Sequence, residues 1–211
     1  MVTTKVDLKR ELPELYSAAR RPVLVEVPEL AFLMIDGHGD PNSAPEYAEA
    51  VEAIYTVAYT AKFIVKRALD GTDFAVMPLE GLWWTPDMST FTTEDKSAWD
   101  WTMMIAQPGQ VTPEVVEQAR AKAAGKKALT AIGRVRLERF GEGRAAQVMH
   151  IGPYAAEGPT IQSLHAFIAE KGYERTGKHH EIYLSDPRRS APEKMKTIVR
   201  QPVTPAQSGR G

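Results

Sequence analysis

An α+β fold, built as a tandem repeat of strand-helix-strand-strand units, is what the sequence predicts, and three echoes between its halves carry that prediction. A strand-like run ends Met34-Ile35-Asp36-Gly37 in the first half, and another ends Met149-His150-Ile151-Gly152 in the second. Each is followed by a proline-bearing stretch, a helical pattern and an extended aromatic run. Each half closes on one signature, Ile105-Ala106-Gln107-Pro108 and Val199-Arg200-Gln201-Pro202. Echoes in a shared order imply duplication, although two copies do not make a solenoid. Two such units are expected to pack about a pseudo-twofold, with a ligand groove at the repeat seam. The repeats span about residues 20–110 and 128–203, between an N-terminal extension, 1–19, and a disordered tail, 204–211.

The elements follow in order. Residues 7–19 suit a short polar helix on the outside. Val23 to Ile35 alternates and contains Pro28, so it reads as a strand with a bulge or a break. Gly37 to Asn42 is a loop by composition. From Pro45 to Leu69 runs the clearest helix, with Val51, Ile54, Ala58, Ala61 and Val65 at helical spacing and Asp70-Gly71 to end it. Phe74 to Trp84 is extended, residues 85–97 are a polar loop, and Trp99 to Ile105 is a strand stopped by Pro108-Gly109. Thr112 caps a helix over Pro113 to Ala124, with proline at its first position.

In the second half, Ile132 to Phe140 and Ala145 to Ile151 suit a hairpin around Gly141-Glu142-Gly143. Pro159 opens a helix with the apolar stripe Ile161, Leu164, Phe167 and Ile168, and Gly172 closes it. His179 to Leu184 is a strand, Asp186 to Arg189 a turn, and Met195 to Val199 the last strand.

Composition narrows the class. The chain of 211 residues can bury one good core or two small ones. With 43% apolar and 25% charged residues it has the balance of an ordinary globular protein. No apolar run reaches membrane-span length and no secretory apolar region opens the chain, so a cytoplasmic location is expected, with no membrane partner. Cys is absent, which excludes disulfides and thiolate zinc sites. A net charge of -1 offers no electrostatic footprint for nucleic acid. The oligomeric state is left open, a monomer being one option.

Four stretches resemble the GyrI-like small-molecule-binding family. They are Pro78 to Trp84, His150 to Tyr154, His180 to Arg189 and Pro192 to Pro202, and the resemblance covers roughly residues 20 to 203. It implies a fold like the effector-binding domains of multidrug-responsive regulators: a tandem repeat with a groove at its seam. A glutamate at the pocket base, facing flat, cationic aromatic ligands, is implied at Glu181. The paired Trp83 and Trp84, without an appended DNA-binding domain, resemble a stand-alone branch linked to hydrolysis of cyclopropane-bearing DNA-alkylating natural products. A gyrase-inhibiting role rests on the family name alone.

The residues themselves add chemistry. Trp83, Trp84, Trp99 and Trp101 are all the tryptophans of the chain. Alternation puts Trp99, Trp101 and Met103 on one strand face, while Trp83 and Trp84 point opposite ways. Flat indoles and a thioether suit planar ligands, and the competing explanation is a plain core. Glu181 shares a face with His179 and Tyr183, away from His180 and Ile182. Burial among aromatics would raise its pKa and suit it to general acid–base work, whereas an exposed strand glutamate would be idle. Tyr55, Tyr59 and Lys62 form a helical stripe, and either tyrosine could bind a substrate carbonyl beside Glu181; amphipathic packing explains them equally. The expected set is therefore Glu181, Tyr55 and Tyr59 for catalysis. For ligand binding it is Trp83, Trp84, Trp99, Trp101, Met103, Glu80, His150, Tyr154 and Tyr183. His150 reads first as a structural histidine and second as a pocket residue. Arg188, Arg189 and Lys194 read as a solvated turn, and Glu157 as a helix-terminus residue. His38 with Asp40, and His179 with His180, lack a third ligand, so no metal and no organic cofactor is expected.

Overall fold

The structure, a computed structural model, describes residues 5–68, 71–88, 91, 95–125 and 128–207. In chain order the elements are β1 (Lys5–Val6), α1 (Leu8–Glu11), α2 (Pro13–Tyr16), β2 (Val23–Val27), β3 (Leu30–His38), α3 (Pro45–Arg67), β4 (Asp73–Phe74), β5 (Glu80–Trp84) and β6 (Asp100–Gln107). They continue with α4 (Pro113–Ala124), β7 (Arg136–Phe140), β8 (Gly143–Ile151), α5 (Gly158–Glu170), β9 (Tyr173–Arg175), β10 (His179–Tyr183) and β11 (Lys196–Pro205). The expected α+β class holds. Among the described residues no helix is long and apolar enough to cross a membrane.

Two compact units share these elements. One is Met1–Glu11 with Leu30–Phe140; the other is Leu12–Glu29 with Gly141–Gly211. In the first, antiparallel pairing gives the order β7-β3-β6-β5. In the second it gives β2-β8-β11-β10, with β9 also on β11. The pairings keep one register. Ala31 faces Gln107 in the first unit, and Ala146 faces Gln201 in the second. Counting on from each alanine by the same number of residues reaches Gly37 and Gly152, the two glycines of the sequence echo.

The expected hairpin at Gly141-Glu142-Gly143 does not form. β7 pairs with β3, while β8 pairs with β2 and β11. Alternation with a glycine pair signals two strands and a change of direction, but it does not say which strands they join. Here the chain passes Gly141 from one unit to the other. A Cβ at Gly141 would lie 2.9 Å from the Cα of Glu29, so only glycine fits against that backbone. Residues 130–134 are a 3-10 turn rather than strand. The N-terminal helix is likewise two short pieces, and its Leu15 and Tyr16 are buried, so it is not a polar outer helix.

Helix α3 starts at Pro45 and turns Ala50, Ala53, Ile54, Val57, Ala58, Ala61 and Val65 inward. The many alanines let its backbone approach the sheet closely, while Val51 of the expected stripe is only half-buried. It ends where a Cβ at Gly71 would overlap the Lys66 carbonyl oxygen; Asp70 lies outside the described residues. Helix α4 has the expected cap, the Val115 N–H donating to the Thr112 hydroxyl at 3.4 Å. Helix α5 lays Leu164 and Ile168 on Ala146, Val148, Val199 and Val203, with Ile161 and Phe167 partly buried beside them. Each of the two fully buried side chains contributes about 1.5–3 kcal/mol. Thr204 and Pro205, expected in the tail, instead end β11 and pair with Glu174 and Tyr173. The tail residues 208–211 lie outside the described residues, as do 89–90 and 92–94 of the polar loop.

Candidate functional site

Strand β10 reads His179-His180-Glu181-Ile182-Tyr183 and sorts these residues onto two faces. Glu181 is paired with Val199, and Val199 with Val148, so it sits on the face that α5 covers. Its neighbours are the expected ones. The His179 Nε2 lies 3.1 Å from Glu181 Oε1, and the Tyr183 hydroxyl donates to Oε2 at 2.8 Å. The Glu181 side chain is 11% exposed, and these two side chains fix its carboxylate. Tyr154 packs edge-on against Tyr183 at 5.5 Å and is itself exposed at the surface.

Two further histidines stand on this side. Nε2–H of His150 donates to the Pro153 carbonyl at 3.2 Å, and its Nδ1 faces the Thr160 hydroxyl at 3.0 Å. Both ring nitrogens are thus used within the protein, which is the structural role first read for it. His165, on α5, accepts from Arg175 at 3.3 Å. Burial, with help from the Arg175 and His179 charges, pushes its pKa down to about 4, so it is neutral at pH 7. Sequence inspection gave His165 no role.

The opposite face of β10 holds a cluster that the sequence did not reveal. The His180 Nδ1–H donates to Glu142 Oε2 at 2.9 Å, and Arg200 Nη1 donates to the same oxygen at 3.3 Å. Arg200 also donates to Gln147 Oε1 at 2.9 Å and to the Leu15 carbonyl at 2.7 Å. The His180 and Glu142 side chains are each 1% exposed. Burial opposes the Glu142 charge most strongly, but His180 and Arg200 together outweigh it and hold the carboxyl below the usual range. Between two glycines Glu142 carried only a turn signal, and no local pattern marks such a residue as buried.

In the first unit, Trp83, Trp99, Trp101 and Met103 gather as alternation expected, all buried on the side of α3. Trp83 and Trp101 face each other across β5 and β6. Trp101 lies flat over Gly37, where any Cβ would overlap its ring, and its Nε1–H donates to the Gly39 carbonyl at 3.2 Å. Tyr47 of α3 packs on Trp101 at 5.3 Å and on Trp83 at 5.9 Å. Trp99 touches Trp83 at 5.4 Å and stacks with Phe91 at 4.6 Å. Tyr47 and Phe91 were not anticipated; Tyr47 lies two turns before Tyr55 on α3, and that spacing is the one signal in the sequence that marks it. Trp84 and Glu80 are on the other strand face, Trp84 half-buried and Glu80 only 1% exposed.

Tyr55 and Tyr59 stack on α3 at 6.4 Å, with Tyr59 half exposed. Lys62 leaves their stripe: its Nζ donates to the Phe74 carbonyl at 2.6 Å and lies 3.3 Å from Asp73. His38 pairs with Asp100 at 2.8 Å, not with Asp40, whose carboxylate binds Asn42. Among the described residues no three His, Cys, Asp or Glu side chains gather to hold a metal ion. Arg188 and Arg189 are solvated, as expected, around Asp186. Glu157 stands at the N-terminus of α5 without a side-chain cap bond.

Comparison with known proteins gives the family. Residues 21–203 match the GyrI-like small molecule binding domain, and the chain belongs to that family. An uncharacterized conserved protein from Listeria innocua is 46% identical, with a TM-score of 0.87 over 94% of this chain and 100% of that one. A hydrolase from Listeria innocua is 44% identical, with a TM-score of 0.85 over 95% of this chain and 100% of that one. The C-terminal domain of EcmrR, at 13% identity and a TM-score of 0.55 over 88% of this chain and 98% of that domain, shares the fold. No curated protein matches the chain.

Proposed function

We propose that the protein is a hydrolase that adds water to flat, aromatic, cyclopropane-bearing alkylating natural products and so detoxifies them. The observation that carries this is Glu181, a nearly buried carboxylate held by His179 and Tyr183. The likeness to a hydrolase from Listeria innocua supports water addition in general, and the aromatic side chains suit a planar body. In the proposed step Glu181 takes a proton from water as its oxygen bonds to a ring carbon. The cyclopropane C–C bond breaks, and its electrons move into the conjugated carbonyl. A tyrosine hydroxyl, from Tyr55 or Tyr59, meets the oxygen that gains negative charge. Ring strain supplies the driving force, so orientation and charge stabilisation suffice. Trp83, Trp84, Trp99, Trp101, Met103 and Tyr154 are the proposed contacts to the aromatic body, with Glu80 a second carboxylate and no cofactor required.

The same carboxylate supports a second proposal: a drug-sequestering protein in which Glu181 is the counter-charge to a cationic ligand. One mutant separates the two. Glu181→Gln keeps the shape of the side chain and removes its charge. For the enzyme, turnover falls by about 10²–10⁴-fold, while affinity stays within about tenfold. Mass spectrometry of a cyclopropane-bearing indole alkylator follows the gain of one water. For the binder, wild type adds no water, and the mutant loses about 1–3 kcal/mol of affinity for cationic dyes. Wild-type turnover in the mutant would remove Glu181 from the chemistry.

A further inference from the structure

We infer that Glu142, His180 and Arg200 form a positioning clamp that sets the register of β10 and thereby aims Glu181. The inference rests on Glu181 being the reactive carboxylate. A strand normally knows which face to bury from its apolar alternation, and a slip of one residue exchanges the faces. β10 lacks that instruction: His179, His180 and Glu181 are consecutive polar residues, and all three are buried. Something polar must tell them apart.

The clamp does so. His180 is paired with Arg200 and Glu181 with Val199, so the two residues stand one step apart on opposite faces. On the His180 face, Glu142 Oε2 takes hydrogen bonds from both His180 and Arg200, at 2.9 Å and 3.3 Å. Arg200 is in turn fixed by Gln147 on β8 and by the Leu15 carbonyl on α2. Gln147 Nε2 donates to the Glu14 carbonyl at 2.7 Å. The anchor therefore spans β8, β11, β10 and α2, and a slipped β10 would put His179 or Glu181 against Glu142. Glu181 there would bury two carboxylates together. A buried charge cluster of this kind adds little net stability, and fixing one arrangement is its better-supported use.

The test uses the full chain and three variants. His180→Leu leaves the Glu142–Arg200 pair neutral and intact but unhooks it from β10. Glu142→Gln weakens both contacts. His180→Asn puts an amide N–H near the place of Nδ1. Carboxyl-carbon NMR of Glu181, by comparison with Glu181→Gln, reports its environment and titration, and hydrogen exchange reports the 180–183 amides. His180→Leu is expected to move the Glu181 resonance and titration and to raise 180–183 exchange at least tenfold. His180→Asn is expected to restore both. Where wild type turns over substrate, kcat should fall on the order of 10²-fold in His180→Leu with KM within about threefold, as for a misaimed group. If Glu142→Gln does not fold, His180→Leu still decides. An unchanged Glu181 resonance and unchanged 180–183 exchange in His180→Leu would overturn the clamp. Absence of turnover in wild type would overturn the hydrolase instead and leave the NMR result standing.

Discussion

Tyr183 shows how much one hydroxyl controls. It donates to Glu181 Oε2 at 2.8 Å, and a donor to an ionised carboxylate favours the charged form. Tyr183→Phe removes that donor and leaves the ring on Tyr154. If the proposed hydrolysis runs through Glu181, losing this donor to its charged form should move the acid limb of the pH–rate profile to higher pH, with stability nearly unchanged. A profile that does not move would mean that the hydroxyl plays no part in setting the charge of Glu181. His165 is the contrasting case: burial keeps its pKa at about 4, so it should show no titration near neutral pH by proton NMR. Glu181, His179 and Tyr183 were legible as a set because strand periodicity alone puts alternate residues together. Glu142 was not, because its neighbours come from β10 and β11, far along the chain.

At the scale of elements, two contacts govern how strands meet helix α3. Gly37 exists to seat Trp101. Gly37→Ala forces the indole away from a close-packed site, and overpacking of this kind costs about 1–3 kcal/mol. Urea unfolding should register that loss, and a midpoint equal to wild type would show that the ring can shift freely. The second contact is the tie between α3 and β4. Asp73 binds Lys66 at 2.9 Å and Lys62 at 3.3 Å. The Lys66 hydrogen bond, more than any other contact, lowers the carboxyl from 3.8 to about 2. A depressed folded-state pKa gives stability that is present above the unfolded value and lost as pH falls through the folded one. The gap in thermal midpoint between wild type and Asp73→Asn should therefore hold at neutral pH, narrow as the pH falls below 3.8 and close only below about pH 2. A gap that persists there would mean that the tie does not depend on charge.

For the whole molecule, the chain is interleaved. β2 comes just before β3 in sequence but belongs to the second unit, and β7 comes just before β8 but belongs to the first. A cut near residue 128 therefore divides the strands of both units. Fragment 128–211 keeps β7 without its partner β3 and leaves β8 without β2. Expressed alone, each fragment should give a circular dichroism spectrum without a cooperative thermal transition, and mixing them should restore one. Cooperative folding of the 128–211 fragment alone would mean that β2 is dispensable.

What the sequence determined by itself was local. It fixed α3, α4 and α5 with their ends, because proline at the first turn, an N-cap threonine and a glycine after the last turn act over a few residues. It placed an interruption at Pro28, without choosing between a bulge and a break, and it gave the facing of Trp99, Trp101 and Met103 and the company of Glu181. Only the tertiary structure decided which strands pair. The residues about Gly141 signal a change of direction equally well for a hairpin and for a crossing, and the pairing of β7 with β3 and of β8 with β2 and β11 makes the difference. Burial was decided there too. Leu15 and Tyr16 sit in a segment that reads as polar, and Glu142 in one that reads as a turn, yet all three side chains are buried. Local pattern records which face of an element is apolar. It does not record which distant element will cover it, and a buried charge depends on that partner.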